Sequence, residues 1–139
     1  MKILAAIDQS AYAEKVLAKA IDLAKREEAE LTILSVVEPN FADAAEIGAQ
    51  QVIFEQFRKN AEDLVNQAQL KAKNQGVAAK ILVLEGTSVA SRIVQHAEQH
   101  GVDLIVMGHK GRSAIERFLV GSVASRVVAY APCSVLVVR

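Results

Sequence analysis

The feature that most restricts the fold is a set of five short apolar runs, each separated from the next by a stretch with helical periodicity. The runs are rich in Ile, Leu and Val and are continuous rather than alternating, which is typical of parallel strands covered on both faces. They cover residues 3–7, 31–37, 80–84, 103–107 and 134–138. The order β-α-β-α-β-α-β-α-β predicts an α/β fold with an open, twisted parallel sheet of five strands, right-handed crossovers and helices on both faces.

Between these runs, apolar residues recur at the spacing of one helix face. The four apolar stripes are Val16, Leu17, Ala20, Ile21 and Ala24; Phe57, Ala61, Leu64, Val65, Ala68 and Ala72; Ala90, Ile93, Val94 and Ala97; and Ala124, Val127, Val128 and Ala131. We expect Ser10 to be the N-cap of the first helix, and Thr87 and Ser88 to cap the third. Gly101 is expected to end the third helix and Pro132 the fourth.

One segment, residues 39–50, is less regular. It is longer than a usual connection between a strand and a helix. It is either a lid-like or partly helical segment, or an extended helix start without a function of its own. The sequence leaves both interpretations open.

Size, charge and cysteine content narrow the class of protein. The 139 residues predict a single domain spanning 1–139, and the 16 basic and 16 acidic residues give no net charge. This balance argues against nucleic acid or a membrane surface as a partner. With no signal peptide or membrane-spanning run, we expect a cytoplasmic protein. Cys133, the single cysteine, excludes an internal disulfide and is expected to be a small buried apolar residue.

Glycines follow the fourth apolar run in an arrangement suited to a phosphate. The pattern is Gly108, two residues, Gly111, nine residues, and then Gly121-Ser122. Without a Cβ, glycine reaches positive φ and lets main-chain N–H groups approach an anion closely. Gly121-Ser122 also opens a predicted helix, whose free N–H groups favour negative charge. A tight turn with Gly121 as a helix C-cap is the alternative, but the ordered set favours a nucleotide site.

Two better-known phosphate loops do not occur in the sequence. No Gly is followed after four residues by Gly-Lys-Ser/Thr, so there is no Walker A loop. The G-x-G-x-x-G fingerprint of dinucleotide-binding folds is also missing, because residues 6–10 after the first strand contain no glycine.

Topology points to the same place as the glycines. In an open α/β sheet, ligands bind beyond the carboxyl ends of the strands, where the strand order reverses. That edge would bring together residues 6–8, 36–37 and 107–113. The expected ligand site therefore contains the start of the glycine loop.

Taken together, the glycine loop, Asp8 at the end of the first strand and the closing strand Ser134 to Val138 resemble the universal stress protein family, in its ATP-binding branch. The resemblance covers nearly the whole chain. It implies a sheet of order 3-2-1-4-5, as in the adenine nucleotide alpha hydrolase-like folds. It also implies a homodimer in which Ser134 to Val138 pairs antiparallel with its copy, and this would protect an apolar edge strand.

The resemblance also implies a set of nucleotide-binding residues. Adenine and ribose would lie against residues 6–8 and the backbone of Val36, and Asp8 would accept hydrogen bonds from the sugar or reach Mg²⁺ on the phosphates. The phosphates would lie on main-chain N–H groups, with the Ser122 hydroxyl as a further donor. The set is Ala6, Ile7, Asp8, Val36, Met107, Gly108, Lys110, Gly111, Arg112, Ser113, Gly121, Ser122 and Val123. Gln9 departs from the family, where glycine is frequent.

Three polar residues of the loop have two interpretations each. Lys110 and Arg112 either neutralise phosphate charge or are solvated loop charges. Ser113 begins a Ser-x-x-Glu capping box, so it would serve a short helical turn as well as the ligand.

The histidines are not expected to do chemistry. His109 has no carboxylate nearby in sequence to orient it as a general base. His96 and His100 are four residues apart on a predicted helix, a spacing compatible with a metal, but no third ligand is near. We therefore predict no catalytic residue and no protein-bound metal.

The sequence favours an ATP-binding regulatory dimer that takes part in the stress response and presents a nucleotide-dependent surface to a protein partner. ATP or another adenine nucleotide, with Mg²⁺ on the phosphates, is the expected ligand. A slow ATPase or autophosphorylating enzyme is the second hypothesis. Efficient hydrolysis is not expected, since only Asp8, Lys110 and Arg112 are available to assist it. A nucleotide-independent dimeric scaffold is the third.

Overall fold

A computed structural model describes residues 1–39, 47–110 and 121–139, with the side chains of residues 47–50 left out of the description. Strands and helices alternate along the chain. In order they are β1 (Lys2–Ala6), α1 (Ala13–Glu27), β2 (Glu30–Val37), α2 (Ile47–Asn74), β3 (Ala79–Glu85), α3 (Val89–His100), β4 (Leu104–Gly108), α4 (Ser122–Tyr130) and β5 (Ser134–Val138). Each strand lies within one residue of its predicted bounds.

The five strands form one parallel sheet in the order β3-β2-β1-β4-β5. The predicted order, 3-2-1-4-5, is therefore confirmed. From β1 the chain moves outward through β2 to β3, and then returns to the other side of β1 as β4. The strand order consequently reverses between β1 and β4. In open α/β sheets, the crevice that binds ligands lies beyond the carboxyl ends of two such strands.

The sheet is covered on both faces, as the continuous apolar runs predicted. Ile3, Ala5 and Ile33 pack with α1 and α2, whereas Leu4 and Leu34 pack with α3 and α4. These strand side chains are almost entirely removed from water. Complete burial of a Leu or Ile side chain contributes about 1.5–3 kcal/mol, so the two faces together supply the driving force for this layered architecture.

The predicted ends of α3 are confirmed, whereas the predicted start of α1 is wrong. Ser88 caps α3, its hydroxyl oxygen accepting from the Ser91 N–H at 3.2 Å, and Gly101 ends the helix with φ of +63°. The prediction of Ser10 as the N-cap of α1 is wrong, because the cap is Tyr12. Ser10 takes part in a preceding turn, in which its hydroxyl accepts from the Tyr12 N–H at 3.3 Å.

Helix α2 is longer than the strands it covers. Its 28 residues correspond to about 42 Å, against about 26 Å for an eight-residue strand. The Gln9 amide donates to the Asn60 carbonyl at 3.1 Å, and Arg58 pairs with Glu85 at the end of β3. Residues 58–60 of α2 therefore lie beside the carboxyl ends of the strands. The first turns of α2 extend beyond this edge of the sheet.

The irregular segment predicted at 39–50 is helical from Ile47 onward. Residues 40–46 lie outside the described residues, so the lid-like interpretation stays a prediction. Within residues 1–39, 47–110 and 121–139, no helix is both long and apolar enough to cross a bilayer.

Cys133 is less buried than predicted. It is partly exposed and packs against the apolar cluster on the α3 and α4 face. Burial raises the pKa of its thiol, and the nearby Asp103 carboxylate raises that pKa further. Cys133 is accordingly a protonated, weakly reactive thiol at neutral pH.

Candidate functional site

The carboxyl ends of β1 and β4 bring several predicted site residues together. Ala6 pairs with Met107 on one side and with Leu34 of β2 on the other. The Ile7 N–H donates to the Leu34 carbonyl at 2.9 Å, extending the pairing by one residue. Val36, also on β2, lies two residues beyond Leu34. The predicted adenine and ribose residues therefore share one edge of the sheet.

Asp8 follows β1 at this edge and is partly exposed. Its Oδ1 accepts a hydrogen bond from the Ser10 N–H at 2.9 Å. This turn fixes the direction of the carboxylate, because Asp side chains commonly bind the backbone N–H two residues later.

The end of β4 is joined to the start of α4 by the main chain of His109. Gly108 pairs with Val138, and the His109 N–H donates to the Val138 carbonyl at 2.9 Å. The Gly121 N–H donates to the His109 carbonyl at 2.6 Å. Because of this bond, residue 121 returns to the place where the glycine loop departs from the sheet.

Helix α4 begins beside that junction. Gly121 is its N-cap, in extended backbone, and makes no side-chain capping bond. The first-turn N–H groups of a helix have no partner within the helix, and the helix dipole adds partial positive charge there. Ser122 and Val123 form this turn, so the end of β4 faces a group of donors suited to an anion.

The aromatic side chain of Tyr12 contacts the start of the loop, a contact that no sequence pattern predicted. A Cβ added to Gly108 would lie 3.1 Å from Tyr12 Cβ and 3.4 Å from the Lys110 carbonyl oxygen. The rings of Tyr12 and His109 meet edge to face, with centroids 4.7 Å apart and an interplanar angle of 84°. The contact depends on how α1 packs against β4, which no local pattern encodes.

The two residues after Gly108 are both buried. His109 is 8% exposed and Lys110 is 7% exposed. The interpretation of Lys110 as a solvated loop charge is therefore wrong. Lysine is rarely buried without a partner for its charge, and the interpretation that Lys110 neutralises phosphate charge stays a prediction. Gly111, Arg112 and Ser113, with the predicted capping box, lie outside the described residues.

A cleft of 130 Å³ adjoins the start of α4 at the same edge of the sheet. It is lined by Glu38, Thr87, Ser88, Val89, Ala90, Ser122, Val123 and Arg126. Ser122 and Val123 were predicted site residues. Thr87 and Ser88 had been interpreted only as helix caps, and Glu38 and Arg126 had not been singled out. A larger groove, of 570 Å³ between α3 and α4, contains none of the predicted site residues.

The histidine pair on α3 lies outside the crevice. The rings of His96 and His100 stack with centroids 4.2 Å apart. Burial lowers the pKa of His96, and the charges of His100 and Arg92 lower it further. In the described part of the chain, no three His, Cys, Asp or Glu side chains are grouped closely enough to hold a metal ion.

Comparison with known proteins gives consistent matches over the full chain. A family model described as the universal stress protein family matches residues 1–139. A universal stress protein homologue from Staphylococcus haemolyticus is 41% identical over 138 residues, which are 99% of this chain and 83% of the relative. The solved structure of universal stress protein UspA from Lactobacillus plantarum is 30% identical and superposes with a TM-score of 0.89, covering 100% of this chain and 97% of that one.

Two more distant solved structures hold adenine nucleotides. A universal stress protein in complex with cAMP is 22% identical, with a TM-score of 0.76 over 100% of this chain and 97% of that one. A universal stress protein from Archaeoglobus fulgidus in complex with dAMP is 21% identical, with a TM-score of 0.69 over 100% and 98%. At these identities the likeness shows a shared fold.

Proposed function

Because this chain belongs to the universal stress protein family, we propose that it binds an adenine nucleotide, ATP in the first place, in the crevice between the ends of β1 and β4. The observation that carries this proposal is the 2.6 Å hydrogen bond from the Gly121 N–H to the His109 carbonyl. Through that bond the donor-rich start of α4 faces the end of β4, where the strand order reverses. Relatives of the same fold hold cAMP and dAMP, which supports the adenine nucleotide class.

Each part of the crevice suits one part of the nucleotide. Adenine and ribose would lie on the edge formed by residues 6–8 and Val36, with Asp8 accepting from a ribose hydroxyl. The phosphates would lie on the N–H groups of the glycine loop and on those of Ser122 and Val123, because the Gly121 N–H is already donated to the His109 carbonyl. Buried Lys110 would offset part of their charge.

Mg²⁺ fits this donor set as an ion carried by the phosphates. It keeps several waters and commonly binds through one or two carboxylates and the phosphates of the substrate. Asp8 supplies one carboxylate at the end of β1. Mg²⁺ would screen the charge between neighbouring phosphates, and Asp8 would orient its water shell.

The described residues favour a nucleotide binder over an efficient enzyme. Phosphoryl transfer depends on converging cations and a positioned water or acceptor. Among the residues that the structure describes, no carboxylate accepts a hydrogen bond from His109 Nδ1, and such a contact is what commonly orients a histidine as a general base. Slow ATP hydrolysis or autophosphorylation remains the second candidate, in which Asp8 would act through its contact with the hydrated Mg²⁺.

We propose a homodimer formed through β5, in which Ser134–Val138 pairs with the same strand of a second copy. β5 is an edge strand of four half-buried apolar residues after Ser134. An unprotected edge strand of this kind readily pairs with another chain. The dimer would present a nucleotide-dependent surface to a protein partner in the cytoplasm. A nucleotide-independent dimeric scaffold is the third candidate.

Isothermal titration calorimetry with ATP and Mg²⁺ tests the binding site. We expect Gly111→Val to abolish binding, because a side chain there blocks close approach of the backbone to a phosphate. Asp8→Asn should weaken it, whereas the matched change Asp22→Asn, on the exposed face of α1, should leave it unaltered. Unchanged affinity in a folded Gly111→Val variant would contradict the assignment.

Mass spectrometry of nucleotide released from the freshly purified, acid-denatured protein separates the three candidates. Recovered ATP supports a slowly hydrolysing binder. ADP that forms again after reloading with ATP supports an ATPase, and Asp8→Asn should then stop phosphate release. An empty protein whose melting temperature does not rise with ATP and Mg²⁺ supports the scaffold.

A further inference from the structure

Tyr12 and His109 form a ring pair at the point where the glycine loop leaves the sheet. Their rings meet edge to face at 4.7 Å. The Tyr12 side chain also contacts the backbone of Gly108 so closely that a Cβ there would lie 3.1 Å from Tyr12 Cβ. Edge-to-face aromatic contacts have a preferred geometry, so the pair restrains the direction of both rings.

The main chain holds both members of the pair. On the β1 side, Asp8 Oδ1 accepts from the Ser10 N–H and the Ser10 hydroxyl accepts from the Tyr12 N–H. On the β4 side, the His109 N–H donates to Val138 and its carbonyl accepts from Gly121. The ring pair therefore connects the turn of the proposed ribose residue, Asp8, to the junction from which the phosphate loop departs.

His109 carries a polar atom that the described residues leave unsatisfied. The residue as a whole is 8% exposed, its Nδ1 atom is buried, and in the part of the chain that the structure describes Nδ1 has no hydrogen-bond partner. Burying such an atom without a partner costs free energy. A phenylalanine at position 109 would offer a ring for Tyr12 without that cost, so packing alone does not account for a histidine here.

We propose that Tyr12 and His109 are positioning residues for nucleotide binding, and that His109 Nδ1 gains a hydrogen-bond partner when the nucleotide binds. The contact between the two rings fixes the position of the main chain at Gly108 and His109, where the loop begins. The hydrogen bond gained by the imidazole then stabilises the nucleotide-bound state of the protein. This role rests on the proposed function, because without a nucleotide the ring pair has nothing to position.

Calorimetry with ATP and Mg²⁺ on four variants tests the two parts separately. Tyr12→Ala removes the ring and should weaken binding by about tenfold or more, and Tyr12→Phe should recover most of that loss because it keeps the ring. His109→Phe keeps a ring but loses Nδ1, and should weaken binding by about tenfold, the equivalent of one hydrogen bond to a charged group. Tyr130→Phe, on the exposed side of α4, is the matched control and should bind as the unmodified protein does.

Nitrogen NMR on ¹⁵N-histidine-labelled protein measures the chemical shift of His109 Nδ1. This shift should not change on nucleotide binding if His109 only packs against Tyr12. We expect the Nδ1 signal of His109 to shift on saturation with ATP and Mg²⁺, whereas the ring nitrogens of His96 and His100 on α3 should not. The measurement uses the unmodified protein, so it decides the matter even if His109→Phe does not fold.

The outcomes distinguish this role from the proposed function. Absence of ATP binding by the unmodified protein overturns both. Binding by the unmodified protein together with equal affinity in folded His109→Phe, or with an unchanged His109 Nδ1 signal, overturns the positioning role alone. Weakened binding in Tyr12→Ala without recovery in Tyr12→Phe overturns the part assigned to the ring.

Discussion

Gly108 is the residue at which close packing and the candidate site coincide. Its missing Cβ leaves room for the Tyr12 side chain and for the Lys110 carbonyl, which would lie 3.1 and 3.4 Å from a Cβ at that position. Gly76, at the end of α2, is a glycine for a different reason. It has φ of +84° and nothing within 4 Å of a Cβ position, so it is required by backbone conformation alone.

The two glycines make a matched pair of substitutions. Gly108→Ala should destabilise the protein by about 1–3 kcal/mol through overpacking, and Gly76→Ala by about 1–2 kcal/mol through left-handed backbone strain. Only Gly108→Ala should weaken ATP binding, because it displaces the start of the loop. Urea unfolding and calorimetry measure the two quantities, and equal nucleotide affinities in both folded variants would contradict the close approach at Gly108.

His96 makes stability depend on pH. Burial lowers its pKa below the ordinary value of 6.5, and His100 and Arg92 lower it further. The unfolded chain therefore takes up a proton at a higher pH than the folded chain. Stability should fall as the pH drops below about 6.5 and level off below the folded pKa.

His96→Gln should remove this part of the pH dependence. The urea midpoints of His96→Gln and of the unmodified protein, measured between about pH 7.5 and pH 5, should diverge as the pH falls. The variant should lose less stability at acid pH. In the same series, His100→Gln should raise the pKa of His96, seen by proton NMR, because it removes one of the repelling charges. Parallel curves for His96→Gln and the unmodified protein would exclude His96 as a contributor.

At the scale of elements, β5 has two different sides. The Val138 carbonyl accepts a hydrogen bond from the His109 N–H, just after β4. The main-chain N–H and C=O groups of Val138 therefore point toward β4. Main-chain directions alternate along a strand. Leu136 therefore also points toward β4, whereas Val135 and Val137 point their N–H and C=O groups toward the open edge.

This alternation gives a sharp test of the proposed dimer. Val137→Pro removes an N–H from the open edge and should produce a folded monomer, since proline is tolerated where a strand N–H faces outward. Leu136→Pro removes a bond to β4 and should destabilise the fold itself. Sedimentation equilibrium and thermal unfolding separate the two effects. A Val137→Pro variant that remains dimeric would exclude antiparallel pairing through β5.

The elements themselves could be predicted because their signals are local. Continuous apolar runs located all five strands, and Ser88 and Gly101 located the ends of α3. Ser10 misled as a helix cap, since a hydroxyl that can cap a helix can equally accept within a turn before it. The strand ends also predicted that Ala6 and Met107 meet at one edge of the sheet, whereas the binding role of the residues at that edge stays a prediction. Tyr12 and Arg126 were missed because their contacts depend on how helices pack across the sheet.

The whole molecule consists of two apolar layers that share one sheet. Ile33 and Leu34 are neighbours in β2, are both fully buried, and face opposite layers. Because every strand of the central sheet contributes to both layers, neither layer is complete without the other. The molecule should consequently unfold as one cooperative unit.

Ile33→Ala and Leu34→Ala test this cooperativity. Each should destabilise the protein by about 2–5 kcal/mol through loss of buried surface and the cavity left behind. Both should shift one transition, with far-UV circular dichroism and amide hydrogen exchange of β1 giving the same midpoint. Separate transitions for the two layers in either variant would contradict the shared sheet as the unit of folding.

The hydrogen bond between the Gly121 N–H and the His109 carbonyl also bears on how such a protein evolves. Since the chain returns at residue 121 to the place it left at residue 109, substitutions between these two residues should leave the positions of β4 and α4 unaltered. Under the proposed function, such substitutions would change the contacts to the phosphates, while the apolar layers that stabilise the fold would keep their packing. Nucleotide preference would then be able to change in evolution without loss of the fold.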